Sequence, residues 1–217
     1  MIQLYHTPIS FNSRRVWVML LEKQIPFTTI EVNLDGEQFQ PEFLTLNPFH
    51  HIPVLVDDGF KVIESLAILD YLEAKYPEPA LFPKNPEQLA TVRMIQLVTV
   101  NELLPTLMPF IRQMVGLETP PEKLAQAQSK IETILTFWEK HLSKGKYLVG
   151  DQFTLADIVA GTVAPLLPKF GISFTQYPQV SQWLTHIIQR PSWQQTEPSP
   201  VALEAARPRI RKILENL

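Results

Sequence analysis

The stretch PEPALFPKNP at residues 77–86 divides the chain into two parts with different patterning, and this division limits the folds open to it. Four of its ten residues are proline, so no helix can continue through it. Before it, short β-branched segments alternate with helix-like stretches, whereas after it the patterning is helical. We therefore predict a small α/β domain over residues 1–77, a linker over 78–86 and an all-helical domain over 87–217.

The order of elements in the first domain predicts a thioredoxin-like layer. Strands are predicted over 2–6 and 27–32, helices over 13–24 and 64–76, and a hairpin over 54–64 that turns at Asp58-Gly59. A parallel β-α-β unit followed by a hairpin and a covering helix gives a single sheet packed against helices. The fold class predicted is thus a thioredoxin-like α/β domain joined to an all-α domain.

The second domain is predicted to be helical throughout. Helices are expected over 87–115, 121–143, 155–169 and 178–190, with a last one from about residue 200. Pro105 and Pro109 should kink or break the first of these helices. Thr154 and Asp157 match a capping box ahead of an apolar run, which indicates a structural role for both residues.

Composition excludes several classes of function. A net charge of −3 and a pI near 6.0 give no general attraction to nucleic acid or to an anionic membrane. The longest apolar run, IVAGTVAPLL at 158–167, is too short to span a bilayer, and MIQLYH does not resemble a signal peptide. We therefore expect a cytoplasmic protein that binds neither membranes nor nucleic acid.

Cysteine is missing from the sequence, which limits the chemistry further. Without it there are no disulfides, no thiolate metal sites and no thiol nucleophile in the protein. His50 and His51 are adjacent, and neighbours in an extended segment point apart, so no metal site is predicted there. If the protein carries out thiol chemistry, the thiol must therefore come from a ligand.

The stretch NPFHHIPVL at 47–55 contains a proline at the start of a predicted strand. Proline cannot donate to a sheet ladder, and X–Pro bonds are the ones that adopt the cis form at appreciable frequency. A cis Ile52-Pro53 bond would leave the N–H and C=O of Ile52 free for a ligand. The alternative is a strand that simply begins at a proline.

Four motifs together resemble the cytosolic glutathione transferases over essentially the whole chain. They are YHTPISFNSRRV (5–16), NPFHHIPVL (47–55), ESLAILDYL (64–72) and FTLADI (153–158). The chain is most similar to the serine-type branch, meaning the theta, zeta and bacterial chi-like enzymes, because a serine precedes the first helix. The resemblance implies a homodimer that uses glutathione as a co-substrate and needs no metal or other cofactor. Phe49 and Phe60 are candidate dimer contacts.

The resemblance also implies which residues activate the thiol. Ser10 and Ser13 match the serines of a zeta-like S-x-x-S-x-R pattern, and Arg15 matches its arginine. A hydroxyl that donates to sulfur near a helix N-terminus stabilises the thiolate, so Ser10 is the candidate catalytic residue and Asn12 its candidate assistant. Ser10 could instead be only an N-cap. Tyr5 is the rival for the catalytic role, although a core position suits it better.

The resemblance likewise implies a binding site for glutathione. The backbone of Ile52, held by Pro53, would pair with the cysteinyl part, and His51 would contact the glycine carboxylate. Ser65, at a helix N-terminus, would bind the γ-glutamyl carboxylate, and Glu64 would help to bind the ammonium group. The alternative for Ser65 is a role as an N-cap alone. Histidine is only partly charged near neutral pH, so we expect anion binding at His51 to weaken as the pH rises.

The function implied is conjugation of glutathione to small hydrophobic electrophiles, with isothiocyanates suggested by the chi-like members. An apolar wall for the electrophile is expected from Met108, Phe110, Ile111 and Met114, although core positions suit these residues equally well. The alternatives are a glutathione-dependent isomerase or peroxidase, and a non-catalytic interaction module with the same fold.

Overall fold

The chain divides into two units. The computed structural model describes residues 1–215. One unit contains residues 1–81 together with 191–203, and the other contains residues 82–190 and the residues from 204 onward.

The first unit is built on a four-stranded mixed sheet. The strands are β1 (Ile2–His6), β2 (Phe27–Glu31), β3 (Val54–Asp57) and β4 (Phe60–Ile63), in the order β2-β1-β3-β4. β1 pairs in parallel with β2, while β3 is antiparallel to both β1 and β4. The helices of this unit are α1 (Phe11–Glu22), α2 (Pro41–Leu44), α3 (Ser65–Lys75) and α11 (Pro191–Gln195), and a 3₁₀ turn covers Glu37–Phe39. This confirms the thioredoxin-like arrangement.

Alternation along β1 determines which side chains enter the core on each face of the sheet. Ile2 and Leu4 are buried, while Tyr5 points to the opposite face. There Tyr5 packs against a cluster formed by Val32, Phe43 and Val54. Because α1 and α3 also pack together, the ends of the strands and the starts of both helices are held in fixed positions.

The hairpin between β3 and β4 turns at the two residues expected from the sequence. Asp58 has φ of 48° and Gly59 has φ of 90°, so both lie at positive φ. This sign at both central residues is typical of a two-residue hairpin whose twist matches that of its strands. The hairpin brings the chain to α3 directly after β4.

The second unit is helical, as predicted. Its helices are α4 (Pro86–Val98), α5 (Leu104–Thr106), α6 (Met108–Met114), α7 (Pro121–Leu142), α8 (Leu155–Gly161), α9 (Leu166–Lys169) and α10 (Pro178–Ile188). The last helix, α12, runs over Pro200–Glu215. Between α4 and α5 a π-helical turn covers Thr99–Leu103. The predicted helix over 87–115 is therefore divided near Pro105 and Pro109, because proline donates no backbone hydrogen bond.

Within residues 1–215, no single helix is both long enough and apolar enough to span a membrane. The stretch Pro86–Thr106 and the helix Met108–Met114, bent by 45° at their junction, meet the length and composition requirements only as a pair.

The predicted capping box is present at the start of α8 and lies in the core of the second unit. The Thr154 side chain accepts from the backbone N–H of Ala156, and the Asp157 carboxylate accepts from the backbone N–H of Thr154. Asp157 also accepts from the indole N–H of Trp183 at 2.9 Å. The capping box thus connects the loop before α8 to α10.

The segment 191–203 belongs to the first unit, whereas the sequence analysis placed it in the helical domain. The contact is made by Arg14 of α1, whose guanidinium donates to the carbonyl of Trp193 and to the hydroxyl of Thr196. The same guanidinium forms an ion pair with Glu197 at 2.5 Å. Local sequence patterns do not encode such a long-range contact, which explains the difference.

Candidate functional site

A cavity of about 310 Å³ in the first unit brings together most of the residues expected to bind glutathione. Its lining contains Asn12, Leu34, Asn47, His50, His51, Ile52, Pro53, Glu64 and Ser65. These residues come from the first turn of α1, from the segments around α2 and before β3, and from the start of α3. Six of the seven residues predicted to act in catalysis or glutathione binding are therefore neighbours, and the seventh, Ser10, is not in the lining.

Ile52 lies in the cavity lining with its backbone outside the sheet. The Ile52–Pro53 peptide bond is cis, as the sequence analysis expected. The ladder between β1 and β3 begins at Val54, and within residues 1–215 the N–H and C=O of Ile52 have no hydrogen-bond partner. Its side chain packs against the cluster of Val32, Phe43 and Val54. The main chain of Ile52 is thus available to a ligand while its side chain belongs to the core.

Asn47 organises the turn that carries His50 and His51, a role the sequence analysis missed. Its side-chain amide donates to the carbonyl of His51 at 2.8 Å, and its Oδ1 accepts from the backbone N–H of Phe49 at 2.9 Å. Only 1% of Asn47 is exposed. The Asn47-Pro48 dipeptide was the available signal, because asparagine side chains often bond to the backbone two residues on.

The two histidines of this turn differ in their surroundings. His50 has φ of 61°, its ring lies beside Phe39, and its Nδ1 is 3.3 Å from the carbonyl of Gln38. His51 is exposed. His50 is therefore held in place by its neighbours, while the His51 side chain is open to a ligand.

The start of α3 lies in the cavity lining with its first turn open. Glu64 occupies the N-cap position at φ 66°, and its side chain makes no capping hydrogen bond. No acidic residue lies in the first turn of α3. Free backbone N–H groups at a helix N-terminus attract anions, so this end of the helix suits a carboxylate.

Ser65 is the first residue of α3, and only 8% of it is exposed. Its Oγ accepts from the guanidinium of Arg15 at 3.4 Å. The hydroxyl hydrogen of Ser65 is therefore free to donate to a ligand.

Ser10 is the N-cap of α1. Its Oγ accepts from the backbone N–H of Ser13 at 3.3 Å, so the capping role considered in the sequence analysis is present. A hydroxyl that accepts one bond still has a hydrogen to donate, so capping leaves a catalytic role open. Asn12, which is exposed, lines the cavity where Ser10 does not.

Tyr5, the rival candidate, lies in a different place. It lines a separate cavity of about 440 Å³ together with residues around α2, among them Glu37 and Phe43. None of the residues in the lining of the 310 Å³ cavity takes part in this second cavity.

The residues expected to contact an electrophile lie on α6. Phe110 is buried and stacks on Phe170 at 5.5 Å between ring centroids. Met108 and Met114 are exposed, and Ile111 is half-buried. Phe110 is thus part of the core of the second unit, and the other three side chains retain open surface.

The second unit contains a larger cavity, of about 550 Å³, that none of the predicted site residues lines. Its surroundings include Lys146, Trp183 and His186. Size alone does not identify the site, because the smaller cavity combines free backbone groups with a helix N-terminus. Over the described residues 1–215, no three His, Asp or Glu side chains are grouped in a way that could hold a metal ion.

Comparison with known proteins identifies the family. The model of the glutathione S-transferase N-terminal domain matches residues 4–80, and that of the C-terminal domain matches residues 75–191. Glutathione S-transferase F10 of Arabidopsis thaliana is 32% identical over 208 residues, which cover 90% of this chain and 96% of that protein. Maleylacetoacetate isomerase of Rattus norvegicus is 35% identical over 183 residues, covering 82% and 83% of the two chains.

A solved structure shows the same fold. Glutathione S-transferase-I bound with lactoylglutathione is 30% identical, with a TM-score of 0.80, and the match covers 90% of this chain and 98% of that one. Both family models and these relatives agree with the fold described above. The chain belongs to the glutathione S-transferase family and is a glutathione transferase.

Proposed function

We propose that the protein is a serine-type glutathione transferase that conjugates the thiolate of glutathione to small hydrophobic electrophiles. The observation that carries the proposal is the 310 Å³ cavity, which combines the open backbone of Ile52 with the open N-terminus of α3. An extended peptide with a carboxylate at one end matches both features.

Each part of glutathione has a counterpart in this cavity. The γ-glutamyl carboxylate binds the Ser65 hydroxyl and the first N–H groups of α3, and Glu64 takes the ammonium group. The cysteinyl backbone pairs with the N–H and C=O of Ile52, and Pro53 holds that backbone in place. The glycine carboxylate lies near His51. This arrangement leaves the thiol toward Asn12 and the start of α1.

Ser10 stabilises the thiolate in this proposal. Its Oγ accepts from Ser13 and donates its hydrogen to the sulfur of bound glutathione, and the N-terminus of α1 adds a positive potential. A free thiol has a pKa of about 8.5, so little of it is ionised at neutral pH without such help. Asn12 assists through its side-chain amide.

The candidates for contact with the electrophile are the exposed Met108 and Met114 and the half-buried Ile111 of α6, which offer apolar surface. With an isothiocyanate, the sulfur attacks the central carbon of N=C=S, and the nitrogen takes up a proton to give a dithiocarbamate. Such a reaction removes a reactive electrophile, which fits a role in detoxification in the cytoplasm.

A homodimer is part of the proposal. Phe49 and Phe60 are each 59% exposed in the first unit. Aromatic side chains are enriched at protein–protein interfaces. Light scattering of the purified protein would measure the mass of the particle in solution, which distinguishes a dimer from a monomer.

A second candidate reaction is favoured by one relative. The isomerase from Rattus norvegicus is 35% identical to this chain. In the corresponding reaction here, the thiolate adds to a cis double bond of maleylacetoacetate, the resulting single bond rotates, and the thiolate leaves. The cavity supplies the same thiolate for both reactions, so they are separated by substrate alone.

The experiment compares initial rates of glutathione conjugation to benzyl isothiocyanate in wild type and Ser10→Ala, at about pH 6.5, where the free thiol is mostly protonated. We expect a clear enzymatic rate that falls in the variant while glutathione binding is kept. Equal rates in both proteins would remove Ser10 from the mechanism. If neither protein conjugates isothiocyanate, the same comparison with maleylacetoacetate decides for or against the isomerase.

A further inference from the structure

Arg15 is buried completely in the first unit without a carboxylate partner. It lies on α1, and 0% of its surface is exposed. The only hydrogen bond of its side chain within residues 1–215 runs from Nη1 to Ser65 Oγ at 3.4 Å, and its Nε and Nη2 have no partner there. Burial lowers the pKa of Arg15 to about 10, so the guanidinium is still charged at neutral pH.

Its neighbour Arg14 shows how a buried arginine of the same helix is normally satisfied. Arg14 is also buried, but it donates to the carbonyl of Trp193 and to Thr196, and it pairs with the carboxylate of Glu197. Burying a charge without a partner is costly. Arg15 therefore carries a positive charge that nothing in the first unit compensates.

The position of this charge connects it to the proposed carboxylate site. Arg15 contacts Ser65, which is the first residue of α3, at the helix end whose first turn lacks both a side-chain cap and an acidic residue. Arg15 itself is not in the lining of the cavity, whereas Ser65 is. A ligand carboxylate at Ser65 would lie next to both the helix N-terminus and the guanidinium.

We propose that Arg15 is a positioning residue for the γ-glutamyl carboxylate of glutathione, acting through Ser65. The guanidinium fixes Ser65 Oγ as an acceptor, so the Ser65 hydroxyl hydrogen points toward the carboxylate. The ligand then supplies the negative charge that the protein lacks. A hydroxyl that accepts from a cation is polarised and becomes a stronger donor. This inference rests on the proposed binding of glutathione in the 310 Å³ cavity.

The test measures how strongly binding depends on that one carboxylate. Calorimetry gives the dissociation constants of glutathione and of the analogue with a γ-aminobutyryl group in place of γ-glutamyl, which lacks only the α-carboxylate. The ratio of the two constants is the preference for the carboxylate. It is measured for wild type, Arg15→Met and Arg15→Lys. We expect Met to lower the preference about tenfold, equivalent to about 1.4 kcal/mol, and Lys to keep most of it.

Two controls separate this role from a structural one. The first control is glutathione esterified with ethanol at its glycine carboxylate. The ratio of its dissociation constant to that of glutathione should be the same in wild type and Arg15→Met. Urea unfolding should find Arg15→Met at least as stable as wild type, since an unpaired buried charge is removed. Arg14→Met, which removes a paired charge from the same helix, should be less stable.

The outcomes distinguish the inference from the proposed function. The role of Arg15 would be overturned if Arg15→Met lost affinity equally for both ligands, which leaves the preference for the carboxylate unchanged. It would also be overturned if Arg15→Lys behaved like Arg15→Met, or if Arg15→Met failed to fold. A wild-type protein that does not bind glutathione at all would overturn the proposed function, and this inference with it.

Discussion

Replacing Asp157 by alanine should destabilise the protein more than most single substitutions. The carboxylate is 0% exposed and accepts four hydrogen bonds. The donors are the backbone N–H of Leu148, the N–H and hydroxyl of Thr154, and the indole N–H of Trp183, all within 3.0 Å. Burial raises the pKa of Asp157, while these four donors favour its ionised form.

The size of the effect follows from the donors left behind. Alanine removes the acceptor for three N–H groups whose positions are fixed by the backbone or by the Trp183 ring, whereas the Thr154 hydroxyl can rotate. Each unsatisfied buried donor costs about 1–3 kcal/mol. Partial relaxation reduces the sum, so we expect a loss of about 4 kcal/mol from the free energy of unfolding. Asp157→Asn keeps one oxygen acceptor but turns an amide N–H₂ toward other donors, and should cost about 2 kcal/mol.

Urea unfolding followed by tryptophan fluorescence measures these differences, because Trp183 is one of the groups affected. Asp151→Ala is the matched control, since this aspartate of the same loop is exposed and accepts a hydrogen bond from the backbone N–H of Lys146. This substitution should cost less than about 1 kcal/mol. The reasoning would be refuted if Asp157→Ala lost no more stability than Asp151→Ala.

Two further predictions concern charged side chains of the first unit. Arg14→Ala should cost about 3 kcal/mol in urea unfolding, because Glu197 and a backbone carbonyl lose their donor. Glu197→Ala leaves the buried guanidinium of Arg14 without a carboxylate, so it should also destabilise the protein, by about 3 kcal/mol. A loss below about 1 kcal/mol for either variant would contradict the structure. Burial acts to raise the pKa of Asp57, but hydrogen bonds from Lys75 and Tyr71 hold this pKa below its usual value. A carboxyl group whose pKa is lower in the folded state than in the unfolded state stabilises the fold at pH values above its unfolded-state pKa, about 4. This stabilisation is lost as the pH falls through the folded-state pKa. The stability difference between wild type and Asp57→Asn should therefore shrink below about pH 4, and a difference that does not change with pH would argue against this.

Much of the fold could be predicted because its signals are local. The hairpin follows from Asp58-Gly59, and the start of α8 follows from the spacing of Thr154 and Asp157. Each signal lies within four residues of the element it defines, so one sequence is enough to detect it.

The features that the sequence analysis missed depend on contacts between distant residues. Arg14 and Arg15 both lie on α1, and arginines are mostly found at the surface, yet both are buried here. The association of residues 191–203 with the first unit follows from Arg14, and the orphaned charge beside Ser65 follows from Arg15. No periodicity in the sequence distinguishes these arginines from exposed ones.

The candidate site likewise combines residues that local motifs predict with contacts that depend on how the chain folds. The sequence motifs identified Ile52, Glu64 and Ser65, which the structure brings to one cavity. Asn47 was missed because its effect is to hold the His51 carbonyl, a contact that depends on how the turn closes. Phe110 was predicted to lie either in the electrophile wall or in the core, because helical spacing alone does not separate the two roles. Its burial and its stacking on Phe170 favour the core.

The measurement that tests the central proposal most directly is the pKa of the thiol of bound glutathione, followed by the ultraviolet absorbance of the thiolate as pH is varied. Wild type is compared with Ser10→Ala and with Ser10→Thr, which keeps a hydroxyl. We expect the bound thiol in wild type and Ser10→Thr to have a pKa at least about one unit below the free value of about 8.5. In Ser10→Ala it should return toward the free value, with kcat/KM at neutral pH lowered about tenfold or more. A bound thiol whose pKa is the same in wild type and Ser10→Ala would contradict the proposal that Ser10 activates glutathione.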